Sequence, residues 1–233
     1  MDKNVTICDQ RCYPNIVRRK AREVGDIFVL VGPNWTLSDI CSELCGATLR
    51  YRVHLLRIVA HGMPQQIQLG QGLRTGNTRT LENIRGIWVD PTTRQVHPSP
   101  RIDCHSCQAS ATTRAAGIPT PRVIVQQLAN STGVRVRCGE VNQLVDSLFN
   151  FTGRVNTMIP TPPRPITSAD RQDPETALQK VFSRDQRVES LRSRARRARS
   201  NRERVAAVEN LIPLIGFPQA QEFGRSVGVY LTR

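Results

Sequence analysis

The sequence predicts an α/β protein in which helices pack on a mostly parallel sheet, and three observations predict it. Ile27 to Val31 (IFVLV) is a continuous apolar run ended by Gly32-Pro33, the pattern of a strand covered on both faces. Thr36-Leu37-Ser38-Asp39 has the form of a capping box, and Leu37, Ile40, Cys41, Leu44 and Cys45 then share one helical face before Gly46 stops the helix. Leu55 to Ala60 (LLRIVA) is a second apolar strand, so strand, helix and strand follow one another as in a layered α/β domain.

The remaining elements follow in order. Gln66 to Leu69 reads as a short hairpin strand, Thr80 to Ile87 as a helix and Arg101 to Ser106 as a strand. Thr120-Pro121 opens a helix through Ala129 with Ile124, Val125 and Leu128 inward, and Val134 to Cys138 alternates after Gly133 as a closing strand. Cys8 and Cys12, just before Tyr13-Pro14, read as loop residues.

Composition bounds the function classes. The 233 residues carry 33 Lys+Arg against 19 Asp+Glu, a formal charge of +14, with 39% hydrophobic and 22% charged residues. That is enough apolar material for a core, which excludes a wholly disordered or collagen-like chain. No run approaches about 18 apolar residues and the N-terminus lacks a continuous apolar signal segment, so a soluble, cytoplasmic protein is expected, with delivery into a host cell without a signal peptide left open. Seven cysteines, an odd number, favour thiols over a disulfide framework. The basic residues are nearly all arginine, which suits phosphate or carboxylate pairing and is equally compatible with genomic base composition.

Charge is uneven. Between Met158 and Pro174, prolines at 160, 162, 163, 165 and 174 break helix and central strand and mark a linker, while Arg187 to Arg204 holds eight Arg against two Glu. The expected organisation is an α/β domain over 1–154, a Pro-rich then Arg-rich linker over 155–204, flexible or partly helical, and an apolar packing or interaction segment over 205–233. Val188, Leu191 and the alanines look too sparse for a buried stripe, so a solvated basic helix or disordered run is expected. Arg192, Arg194, Arg196, Arg197 and Arg199 are candidates for holding a nucleic acid or an anionic membrane surface. The VGVYL segment near the C-terminus could pair as an edge strand or dock on the domain.

In open α/β sheets, reactive groups collect at the carboxyl ends of strands. His61-Gly62 follows one apolar strand, and Cys107, in RIDCHSCQAS, follows the next. These residues resemble the caspase-like cysteine peptidases, in which one apolar strand ends in His-Gly and a second in a small residue and the nucleophilic Cys. VHLLRIVAHG and RIDCHSC carry the likeness. HGMPQQIQLGQGL and LANSTGVRVRCGE resemble the bacterial members, including the self-processing protease domains of large toxins, and the likeness spans roughly 26 to 140. It implies a three-layer sandwich with helices on both sides of the sheet, followed here by a basic C-terminal extension. It implies a cysteine endopeptidase, with self-processing in its range: Cys107 as nucleophile, His61 as general base and acid, and the amides of Gly62 and Cys107 as oxyanion donors, with no cofactor, no metal and no third residue. Peptide or protein substrates are the implied partners. Because some similar toxin proteases are switched on by a phosphorylated inositol, an arginine-lined polyanion pocket is a further expectation.

Two departures stand out. Asp103 and His105 occupy strand positions that are usually more apolar, and Cys104 competes as the nucleophile. Cys107 is preferred because Ser106 then fills the small-residue position. Asp90 and Asp103 are candidates for a substrate pocket that would favour Arg or Lys, Asp103 serving equally as a structural carboxylate. A zinc reading of Cys8-x3-Cys12, Cys41-x3-Cys45 and Cys104-His105-x-Cys107 is weaker, since core packing accounts for Cys41 and Cys45 and no CxxC pairs recur at finger spacing. Outside catalysis, the same residues would suit an inactive caspase-like binding or scaffold module, or a polyanion binder working through the arginine run.

Overall fold

Asp2–Asp9 forms strand β1 and Pro14–Glu23 helix α1; of the two cysteines expected in a loop, Cys8 lies in the strand and Cys12 in the turn between these elements. The strand escapes a pattern reading because Val5 to Asp9 are buried on both faces, so no polar side alternates with the apolar one. The structure, a computed structural model, describes residues 1–63, 66–106, 122–139, 149–151, 153–171, 188–189, 191–198 and 200–231.

Strand β2 is Ile27–Val31. Helix α2 is Leu37–Ala47, opened by the expected capping box: Asp39 N donates to Thr36 Oγ1 at 3.2 Å and Thr36 N to the Asp39 carboxylate at 3.0 Å. Strand β3, Arg52–Val59, runs into a small antiparallel sheet of β4 (His61–Met63), β5 (Gln66–Gln68) and β6 (Leu73–Arg74). Thr78–Trp88 is a 3-10 helix, where the sequence suggested an ordinary one. Strand β7 (Arg101–His105), helix α3 (Arg122–Thr132), strand β8 (Arg135–Gly139) and strand β9 (Val155–Met158) complete the unit.

The main sheet has the order β2-β1-β3-β7-β8-β9; every pair is parallel except β8 with β9. The protein is therefore α/β with a mostly parallel six-stranded mixed sheet. One face buries Ile7, Ile58, Ile102 and Val136 against α2, the 3-10 helix and α3; the other places Cys8 and Val59 against Val17 of α1. The chain leaves β1 towards β2 on one side and returns through β3 to β7 on the other. The carboxyl ends of β1 and β3 therefore flank the point where strand order reverses, the usual place for a crevice in an open α/β sheet.

The boundary expected at 154 moves. β9 lies beyond it and pairs with β8 from Val136↔Met158 to Gly139↔Val155. The proline segment that follows is fastened to the domain: Gln126 Nε2 donates to Ile159 O at 2.6 Å, Thr161 N to Asn130 Oδ1 at 2.8 Å, and Arg85 Nε to Asp170 Oδ1 at 2.7 Å. Proline denies this stretch a regular element, yet side chains can still reach its carbonyls, so 155–171 belongs to the α/β unit.

The arginine run is folded where it is described. Residues 191–197 are helical (α4), followed by α5 (Asn201–Glu209), α6 (Ile212–Ile215) and α7 (Phe217–Ser226). Val188 and Ala195 are buried, with Leu191 beside them, against Ala207, Val208, Leu211 and Leu214 in a second apolar cluster. Val188, Leu191 and Ala195 stand at i, i+3 and i+7, a narrow stripe that joins this cluster. VGVYL is not a strand; Val229 and Leu231 pack into this cluster, and Gln221 Nε2 donates to Leu231 O at 3.0 Å. A Cβ on Gly32 would stand 3.4 Å from the Gly216 Cα, so the C-terminal helices adjoin the carboxyl end of β2. Among the described residues, no helix is long and apolar enough to cross a membrane.

Candidate functional site

His61 begins β4 two residues beyond the end of β3, on the rim where β1 and β3 diverge, and its side chain is exposed. Its Nε2 lies 3.1 Å from the carbonyl oxygen of Arg11, in the turn after β1. A carbonyl oxygen can only accept, so Nε2 is the donor in this contact, and the neutral form of the ring held this way has its lone pair on Nδ1, the atom a general base needs.

Two residues that pattern reading missed build this corner. Asp9, at the end of β1, has a side chain with 0% exposure and is held by the Arg11 guanidinium through two bonds, Nε to Oδ1 at 2.7 Å and Nη2 to Oδ2 at 2.8 Å. The Asp9 carboxylate raises the Arg11 pKa above its ordinary value. Arg11 Nη2 also reaches Gln68 O at 3.0 Å and Gly70 O at 2.8 Å, while Gly70 N donates to Asp9 Oδ2 at 2.9 Å. Gly70 has φ +61°, and a Cβ there would collide with the Trp35 carbonyl oxygen, so this turn requires glycine. The sequence does carry one signal for the corner: Tyr13-Pro14 opens a helix, which makes the preceding VTICD run a strand and Asp9 its end.

The other expected residues fall in several places. Gly62 lies in β4 opposite Ile67. Cys107 lies outside the described residues; the residue before it, Ser106, is fully buried at the end of β7, whose His105 is in register with Val59 of β3. Cys104 is corrected to a core residue. It has 0% exposure, its Sγ lies 3.4 Å from Ser106 Oγ, and it is in register with Cys138. Hydrogen bonding with Cys138, and then with Ser106, draws its pKa below the ordinary thiol value against the opposing effect of burial. A sulfur with no exposed surface cannot meet a peptide carbonyl.

Asp90 is corrected from the substrate pocket to the opposite end of the sheet. It lies 3.6 Å from the nitrogen of Met1, and β1 runs parallel to β3 from there, which puts Asp90 roughly 20 Å from the rim at about 3.3 Å per strand residue. The amides of Thr93 and Thr92 bond its carboxylate and lower its pKa to about 2. Asp103 is buried mid-strand between Arg101 Nε at 3.5 Å and Arg137 Nε at 3.6 Å, a structural carboxylate with no access to the rim. His105 is buried and stacked on Phe151, centroids 4.5 Å apart. Burial, with Arg57 and Arg137 nearby, pushes its pKa down to about 4. Cationic and aromatic side chains surround the polar positions of β7, with Arg137 over Phe151 and Arg57 over Phe149 and paired with Asp26, yet Asp103 Oδ1 and His105 Nε2 are buried without a hydrogen-bond partner among the described residues.

Cys41 Sγ and Cys45 Sγ face the carbonyls of Thr80 and Asn83, and Cys8 Sγ faces those of Asp9 and Cys12. Among the described residues, no group of three side chains could hold a metal ion. In α4, Arg192 pairs with Glu189 at 2.8 Å and, with Arg196, lies over the Phe223 ring, while Arg194, Arg196 and Arg197 are exposed; Arg199 lies outside the described residues. Comparison with protein-family models and with curated proteins finds no match to this chain.

Proposed function

We propose that the protein is a caspase-like cysteine endopeptidase whose dyad is His61 and Cys107. The observation that carries the reading is the placement of His61: exposed, at the point where strand order reverses, with Nε2 committed to the Arg11 carbonyl and Nδ1 left to take a proton. The strand beside β3 is β7, and residue 107 is one Cα step of about 3.8 Å beyond Ser106 at its carboxyl end. The proposed chemistry moves the Cys107 proton to His61 Nδ1; the thiolate attacks a peptide carbonyl, and the imidazolium returns the proton to the leaving amine. Water, deprotonated by the same nitrogen, then hydrolyses the thioester. Backbone amides at Gly62 and Cys107 are the oxyanion donors of this reading, a role worth roughly 10²–10³ in rate elsewhere.

The test is peptide cleavage and self-processing by Cys107→Ala and Cys104→Ala side by side. Loss in the first alone is the expected outcome. Activity retained by Cys107→Ala removes the dyad, and absence of cleavage by the wild type leaves the inactive scaffold reading in its place.

A second reading rests on α4, which turns exposed arginines outward from an apolar cluster of its own. As a fixed basic surface it would hold a polyanion independently of the dyad. A phosphorylated inositol, a nucleic acid and an anionic membrane surface share the required charge.

A further inference from the structure

We infer that Asp9 and Arg11 are the positioning pair of the His61 imidazole. The inference rests on the peptidase reading for its kinetic consequence and on geometry alone for its structural one. Arg11 controls His61 from two directions. Its backbone carbonyl accepts from the ring Nε2 at 3.1 Å, and its guanidinium holds the carbonyl of Gln68, the residue paired with His61 across β4 and β5. One residue thus supplies the ring's hydrogen-bond partner from its backbone and, through its side chain, holds β5, the strand paired with the one that bears the ring.

Asp9 makes the arrangement rigid. Its carboxylate accepts from the Arg11 backbone N–H at 3.0 Å, from the guanidinium fork, and from Gly70 N–H. The end of β1, the turn after it and the end of the hairpin are bolted together through four carboxylate contacts and two carbonyl contacts. A planar fork meeting a carboxylate sets angles as well as distances, which a lysine ammonium cannot do. The exposed imidazole is therefore supported by a wholly buried anion. Loosening the turn would let Nε2 leave the carbonyl, and the ring would then populate both neutral tautomers and lose the Nδ1 lone pair for part of the time. Neither residue touches substrate; both act through His61.

The experiment compares full-length wild type, Arg11→Gln, Arg11→Lys, Asp9→Asn and His61→Ala. The readouts are ¹⁵N-histidine NMR for the His61 tautomer, iodoacetamide alkylation of Cys107 against pH, and peptide kcat and KM. Wild type is expected to show the Nε2–H tautomer. Arg11→Gln and Asp9→Asn are expected to mix the tautomers and lower kcat by roughly 10- to 100-fold with little change in KM, as a small misplacement of a catalytic group does; Arg11→Lys should fall between. If buried Asp9→Asn does not fold, Arg11→Gln carries the test from a partly exposed position. A folded Arg11→Gln with an unchanged tautomer signal overturns the inference whatever the activity. Alkylation and cleavage unaffected by His61→Ala overturn the peptidase reading instead, and the tautomer signal still decides the positioning role.

Discussion

At the scale of single residues, burial separates side chains that look equivalent on paper. Cys104, a nucleophile candidate by sequence, lies in the core in register with Cys138. His61 and His105 are both at strand ends, yet one is exposed and the other is stacked under Phe151. His105 carries a pH consequence. Its folded pKa of about 4 lies below the ordinary value of 6.5, so the unfolded chain binds the extra proton between those values. The stabilisation from keeping the ring neutral is complete above about pH 6.5 and is lost as pH falls towards 4, a contribution on the order of 3 kcal/mol at most. Urea denaturation of His105→Phe is expected to show a flatter stability profile than wild type across that window; parallel profiles would show that His105 is not the group responsible.

At the scale of elements, the proline segment shows how a stretch without helix or strand becomes fixed. Arg171 is 8% exposed, and its guanidinium donates to five carbonyls: Thr48 and Leu49 at the end of α2, Tyr51 before β3, and Gly86 and Val89 at the end of the 3-10 helix. Two helix C-termini converge on one cation, where their unsatisfied carbonyls and partial negative charge are greatest. Burial lowers the Arg171 pKa from its ordinary value, and the carbonyl dipoles supply the charge compensation in place of a carboxylate. Arg171→Ala would leave several buried carbonyls unpaired and is expected to destabilise the protein by about 3 kcal/mol or more. Arg171→Lys, with three donors and no fork, should recover only part of this, and thermal unfolding of the two variants checks the order.

At the scale of the whole molecule, a net charge of +14 is carried by an α/β unit with apolar clusters on both faces of its sheet and by C-terminal helices with a cluster of their own. In the α/β unit most arginines near the sheet are tied to carboxylates or carbonyls, as in Arg57–Asp26, Arg85–Asp170 and Arg52–Asp2. In α4 the outward arginines at 194 and 197 extend from a folded helix. If this surface binds polyanions, the double substitution Arg194→Glu and Arg197→Glu is expected to weaken binding of a single-stranded oligonucleotide and to lower the slope of log affinity against log salt by at least about 1.4, while peptide cleavage is unchanged. An unaltered slope would place the binding arginines elsewhere.

How much of this was legible before folding follows from what each residue needs. The strand-helix-strand order, the capping box at Thr36 and the rim position of His61 were readable because period, cap and punctuation are local properties of the chain. β1 was not, because burial on both faces removes alternation; nor was β9, which is half-exposed and gains its place only by pairing with β8. Asp9 and Arg11 carry no local mark of their role, since their partners Gln68 and Gly70 are nearly sixty positions away. The amino-acid order by itself determined an α/β architecture and set an imidazole at a strand end. Only the tertiary structure decided which carboxylates and thiols are buried, which arginines are engaged, and what orients that imidazole, because burial and long-range pairing exist only once distant segments share one interior.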